Sequence, residues 1–165
     1  MKKTIALFFS LFFAVASTGY SQHSITKMHS LYLYNFVKNI KWKNVEDKYL
    51  IGVFADEATV AEINNVIGLR KFNNKAIEVT KASSASEAGK YHIIFVSSKY
   101  KSIIKQLNTP TILKNTLVVS EQGGLNNGVS IAFILENSKL KFKINEPVCK
   151  ASGLQISATL LSLSQ

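Results

Sequence analysis

The chain has 165 residues, 20 Lys+Arg against 10 Asp+Glu for a formal charge of +10, and one cysteine. That length suits one domain with one core rather than two, and a single cysteine excludes an internal disulfide, so the core must hold the fold. In a cytosolic chain the charge would suggest nucleic acid; the first residues argue against that partner.

The chain opens "MKKTIALFFSLFFAVASTGYSQ", with Lys2 and Lys3 before an apolar run from Ile5 to Ala16 and then small residues. This is the order of a secretory signal peptide, cut either at Ala14-Val15-Ala16 or after Gly19-Tyr20-Ser21. Residues 1–21 are therefore expected to be a signal and 22–165 one exported domain without a transmembrane segment, since no run approaches the ~20 apolar residues a span needs. Two readings stand for the remaining lysines: they solubilise faces and guard sheet edges, or they attract an anionic membrane surface or acidic partner.

"MHSLYLYNFVKNIKW" (28–42) predicts a helix. Leu33, Phe36, Val37 and Ile40 recur at i, i+3, i+4 and i+7 and form the core stripe. Met28, Leu31, Tyr34 and Trp42 spread over the far side, where a solvated helix would carry charges. A second copy covering them would make the protein a homodimer; the alternative is that this small domain wraps its own first helix.

"KYLIGVFADE" reads as a buried strand ending at Asp56, and residues 57–69 as a helix with Val60, Ile63 and Ile67 inward. "KAIEVTKA" alternates like a half-exposed strand. "SSASEAGK" is a polar connector, "YHIIFVSS" a central strand, "KYKSIIKQL" a short helix and "NTLVVSE" another central strand. After the turn-rich "GGLNNG", Val129, Ile131, Phe133 and Leu135 alternate. "ENSK" turns, and "KLKFKIN" places Leu140, Phe142 and Ile144 opposite Lys139, Lys141 and Lys143, as in an antiparallel hairpin with one wet side. Pro147 fits a helix's first turn, and "VCKASGLQISATLLSLSQ" predicts one mostly buried closing helix. The fold class is α/β: a single domain with a mixed, mostly parallel central sheet, a C-terminal antiparallel hairpin and helices on both faces.

No catalytic, metal-binding or cofactor pattern emerges. His23, His29 and His92 are dispersed, and His92 reads as a satisfied strand residue. Cys149 reads as a small buried apolar residue. Gly123-Gly124 is followed by neither a helix nor G-K-[ST], so it is a turn. Ala55, Asp56, Ser97, Ser98 and Ser120 sit just past apolar strands, where open parallel sheets bind ligands, and they mark an alternative small-molecule crevice together with Glu121.

Three stretches resemble one known family. "SLYLYNFVKNIKW", with Tyr32, Tyr34, Asn35, Phe36 and Trp42, is similar to the opening helix of the YfiR family of periplasmic regulators. "LNNGVSIAFILENSKLKFKIN" resembles its glycine-led hairpin closing on Phe142, Ile144 and Asn145, and "ASGLQISATLLSLS" resembles its C-terminal helix. Lys43 stands where the family often has proline, and regulation through an internal disulfide, used by some members, is not open to this chain. The resemblance implies a non-enzymatic protein that binds the periplasmic part of a membrane-bound diguanylate cyclase or histidine kinase and represses it until an envelope cue releases it. The loop from Gly123 to Gly128 is exposed by composition and carries Leu125 with little local core to join. Glu121, Leu125, Asn126, Ile144 and Asn145 are therefore the expected partner-binding patch.

Overall fold

The computed structural model describes residues 19–107 and 114–165; the expected signal segment, up to residue 18, lies outside them. In chain order the elements are α1 (Gly19–Asn39), β1 (Ile40–Lys41), β2 (Lys48–Phe54), α2 (Glu57–Ile67), β3 (Lys71–Phe72), β4 (Lys75–Lys81) and β5 (Ile93–Val96). There follow α3 (Ile104–Leu107), β6 (Leu117–Ser120), β7 (Ile131–Glu136), β8 (Lys139–Ile144), α4 (Glu146–Ala151), β9 (Gln155–Ile156) and α5 (Ala158–Ser162). Short 3-10 helices span Ala85–Lys90, Ser98–Ile103 and Leu125–Asn127.

Among the described residues the strands form a seven-stranded sheet ordered β3-β4-β2-β5-β6-β7-β8 and a separate antiparallel pair, β1-β9. The β2–β4, β2–β5, β5–β6 and β6–β7 pairs are parallel, while β3–β4 and β7–β8 are antiparallel. The chain is thus an α/β protein with a mostly parallel mixed sheet. The two edge hairpins turn on Asn73-Asn74 and Asn137-Ser138, all four at positive φ. That backbone matches the twist of a tight two-residue hairpin, and asparagine tolerates it better than most residues.

Period-two alternation sorts the strand residues onto two cores. Ile51, Val53, Ile93, Phe95, Leu117, Val119, Ile131 and Phe133 face Leu33, Phe36 and Val37 of α1 and Ile63 and Ile67 of α2. On the other face Phe54, Ile94, Val96, Val118 and Ala132 meet Ala85, Ala88, Ile104 and Leu107. The continuous apolar strands are those covered on both sides, as a parallel sheet requires. Asp56 caps α2, its Oδ1 accepting from the Thr59 N–H at 2.9 Å, and that bond holds its carboxyl below the usual range.

Two expectations are corrected. The closing segment is not one helix: Gly153 adopts φ +76, α4 ends, β9 pairs with β1, and Ser157 caps α5 by accepting from the Leu160 N–H at 3.1 Å. A left-handed glycine stops a helix, and the serine four residues later starts the next one. Trp42 does not lie on an open helix face. It follows β1, is 8% exposed, packs edge-on against Tyr49 at 5.9 Å and donates its indole N–H to the His92 carbonyl at 3.1 Å. The free backbone edge of β8 is partly paired: the Gln165 N–H donates to the Phe142 carbonyl and the Ile144 N–H to the Ser164 hydroxyl, so the C-terminal tail covers part of that edge.

Candidate functional site

The parallel strands β5 and β6 end side by side, Val96 opposite Ser120. The chain leaves them through Ser97-Ser98 and Glu121-Gln122, beneath the first half of α1. There the Glu121 carboxylate accepts the Ser98 backbone N–H at 2.6 Å and approaches Nδ1 of His29 at 4.0 Å. His29 is 2% exposed, wedged against Phe133 at 4.6 Å and Phe95 at 5.5 Å. Burial pushes it down to about 4 although Glu121 acts in the opposite sense, so the imidazole is neutral at neutral pH. Its Nε2 has no hydrogen-bond partner among the described residues.

A crevice of about 460 Å³ opens here, lined by His29, Ser98, Glu121, Gln122, Leu135 and Leu140. It offers one carboxylate at the foot of an apolar wall, with Leu135 63% exposed on its rim. Among the described residues no serine hydroxyl hydrogen-bonds His29.

Of the residues expected in a strand-end crevice, Ser98 lines it and Glu121 joins it. Ala55 is buried. Asp56 serves as a helix cap, and Ser97 precedes the 3-10 turn. Ser120 is buried, its hydroxyl donating to the Gln122 carbonyl and accepting the Gln122 N–H. His29, Leu135 and Leu140 were not anticipated. A signal for His29 was present: it stands four, seven and eight residues before Leu33, Phe36 and Val37, on the same buried stripe.

The expected partner patch is partly assembled. Asn145 donates from Nδ2 to the Leu125 carbonyl at 3.0 Å, while its Oδ1 accepts the Val148 N–H at 3.3 Å and caps α4. Both ends of that amide are committed within the fold. Ile144 is half-buried against the main core, Asn126 is exposed, and Glu121 faces the crevice instead of the loop. Leu125 was expected to have little core to join; it is half-buried against the second core. Gly124 and Gly128, at φ 91 and 83, fold the loop back on the sheet.

Of the residues expected at a dimer interface, Leu31 is 38% exposed and Met28 half-buried. The Tyr34 ring lies under the Arg70 guanidinium at 4.9 Å, and Trp42 is covered by its own chain.

His92 is satisfied at every polar atom. Its Nδ1 accepts the Leu50 N–H at 3.0 Å, so Nε2 carries the proton and donates to the Asn44 carbonyl at 3.2 Å. Cys149 is free and buried, its thiol pushed up to about 11 by burial, which leaves it unreactive. Among the described residues no group of three or more His, Cys, Asp or Glu is placed to hold a metal, and no helix is long and apolar enough to cross a membrane.

A comparison with curated proteins returns no match. The model of the YfiR/HmsC-like family matches residues 26–165, from the first half of α1 to the last residue, and the chain belongs to that family.

Proposed function

We propose that this protein is a periplasmic, non-catalytic regulator that binds the extracytoplasmic part of a membrane signalling enzyme, a diguanylate cyclase or a histidine kinase, and represses it. The observation that carries this reading is the family match across both edges of the sheet and both cores. The family is regulatory rather than catalytic, and its members are periplasmic regulators of cyclic di-GMP signalling. In this reading residues 1–21 are removed as a signal peptide on export.

We place the partner surface on Glu121, Leu125, Asn126, Ile144 and Asn145, with Asn126 at its exposed tip and Asn145 holding the loop in position. A homodimer through α1 remains part of the reading, resting on Met28 and Leu31. The experiment is a titration of the purified protein against purified extracytoplasmic domains of the membrane-bound cyclases and kinases of its own cell. One of them should bind saturably. Asn126→Arg should weaken that binding by about tenfold, some 1.4 kcal/mol, with an unchanged thermal midpoint. Failure of every domain to bind overturns the function, and unaltered binding by Asn126→Arg overturns the surface.

The strand-end crevice supports a second reading, a small-molecule sensor, because it places the Glu121 carboxylate beside apolar walls in an accessible cleft. Glu121→Gln keeps an acceptor for the Ser98 N–H and removes the charge, so it should abolish recognition of a cationic ligand without unfolding the protein.

A further inference from the structure

The strand-end crevice holds two polar groups that the fold leaves uncompensated. The first is the Glu121 carboxylate, whose side chain is 28% exposed and whose Oε2 accepts the Ser98 N–H at 2.6 Å. Glu57, Glu78, Glu87 and Glu136 each pair with a lysine. Among the described residues no lysine or arginine forms an ion pair with Glu121, in a chain that has 20 of them. The second is the His29 imidazole, 2% exposed and neutral at neutral pH. Its Nε2 has no partner among the described residues, and its Nδ1 stops 4.0 Å from Glu121 Oε1. That separation is too long for a direct hydrogen bond and short enough for one small donor group to reach both atoms. Polar groups buried this deeply are ordinarily matched.

The chemistry of the missing partner follows from what is open. Because Oε2 is already engaged, the carboxylate offers one oxygen, which suits the point charge of an ammonium rather than the two-oxygen fork that a guanidinium matches. The tautomer protonated on Nε2 presents His29 Nδ1 as a second acceptor. Phe133 is 1% exposed, so no aromatic cage is open to a quaternary ammonium, which in any case has no N–H to donate. Ser98 and Gln122 line the same crevice and bring further acceptor oxygens. Beyond these groups the open wall is aliphatic, formed by Ile25, Leu135 and Leu140, with Leu135 63% exposed.

We propose that this crevice binds a primary alkylammonium, whose charged group donates to Glu121 Oε1 and His29 Nδ1 while its chain lies along Ile25, Leu135 and Leu140. The assignment rests on the small-molecule reading of the crevice and narrows it to one class of ligand. The volume of about 460 Å³ falls within the range of about 300–1,000 Å³ typical of small-molecule sites. An anion would be repelled by Glu121, and a neutral alcohol would leave its charge unmatched.

The probe is hexylammonium, titrated into the purified, isotope-labelled protein and followed by calorimetry and by amide resonances. It should bind saturably and shift the amides of Ser98, Glu121 and Leu140. Hexanol, which lacks the charge, methylammonium, which lacks the chain, and hexylguanidinium should each bind at least about tenfold more weakly. Glu121→Gln keeps an acceptor for the Ser98 N–H and should weaken hexylammonium by at least about tenfold with an unchanged thermal midpoint. Leu135→Ala, at an exposed position, should weaken hexylammonium and leave methylammonium unaffected. Hexanol or hexylguanidinium shifting those amides with the affinity of hexylammonium overturns the ammonium assignment and leaves the small-molecule reading standing. Failure of every probe to shift them overturns both, and full hexylammonium affinity in either variant overturns the proposal.

Discussion

His29 combines two costs that the fold tolerates only while the imidazole is neutral: almost complete burial and a ring nitrogen without a partner. Its folded value of about 4 lies below its ordinary 6.5, so the unfolded chain binds more protons between those values. Stability therefore rises with pH across that window, is complete above 6.5 and falls as pH drops toward 4, by on the order of 3 kcal/mol in all. His92, also held low by burial, adds to the slope in the same direction. Urea unfolding of the parent at neutral pH and near pH 5 should show about 2 kcal/mol of this loss, and His29→Leu should remove most of it. An equal slope in the variant would place the acid sensitivity elsewhere. Gly52 poses a steric problem instead. A Cβ there would stand 2.7 Å from the Tyr91 ring, whose hydroxyl is bonded to Thr80. Gly52→Ala should destabilise by about 1–3 kcal/mol in chemical denaturation, and Tyr91→Ala should relieve that particular strain while opening a cavity of its own.

Helix starts matter more than helix lengths in the C-terminal third. Asn145 caps α4 and ties down the Leu125 loop, whereas Ser157 caps α5 and reaches Asn39 at the end of α1. Ser157→Ala should cost about 1 kcal/mol by calorimetry; Asn145→Ala should cost more and raise amide exchange in 124–128, since it also frees the loop. These elements show what could be read beforehand. The sheet was legible because residues 93–96 and 117–119 are apolar without break, while Ile131–Ile144 alternates around a two-residue turn. The closing segment was not. Its apolar spacing suits a helix, and what stops that helix is the conformation of one glycine, which spacing does not encode. The crevice was half legible for a related reason. Strand ends announce Ser98 and Glu121, but His29 arrives from α1, far away in sequence, and only packing brings the three together.

At the scale of the whole molecule, α1 keeps Leu31 38% exposed on the side away from its core stripe, with Met28 half-buried one turn before it. If a second copy sits there, the protein is a dimer by light scattering and Leu31→Asp yields a monomer with an unchanged thermal midpoint, since the residue contributes little to the core. A parent protein that is already monomeric at high micromolar concentration removes the dimer from the account. The central claim is repression of a membrane signalling enzyme, and its most direct measurement is enzymatic. Membranes from a strain lacking this protein should be assayed for cyclic di-GMP synthesis and for kinase autophosphorylation while the purified protein is added to the periplasmic side. One of the two activities should fall saturably with added protein, and Asn126→Arg should shift that curve to higher concentration. Both activities holding constant at saturating protein would contradict the account.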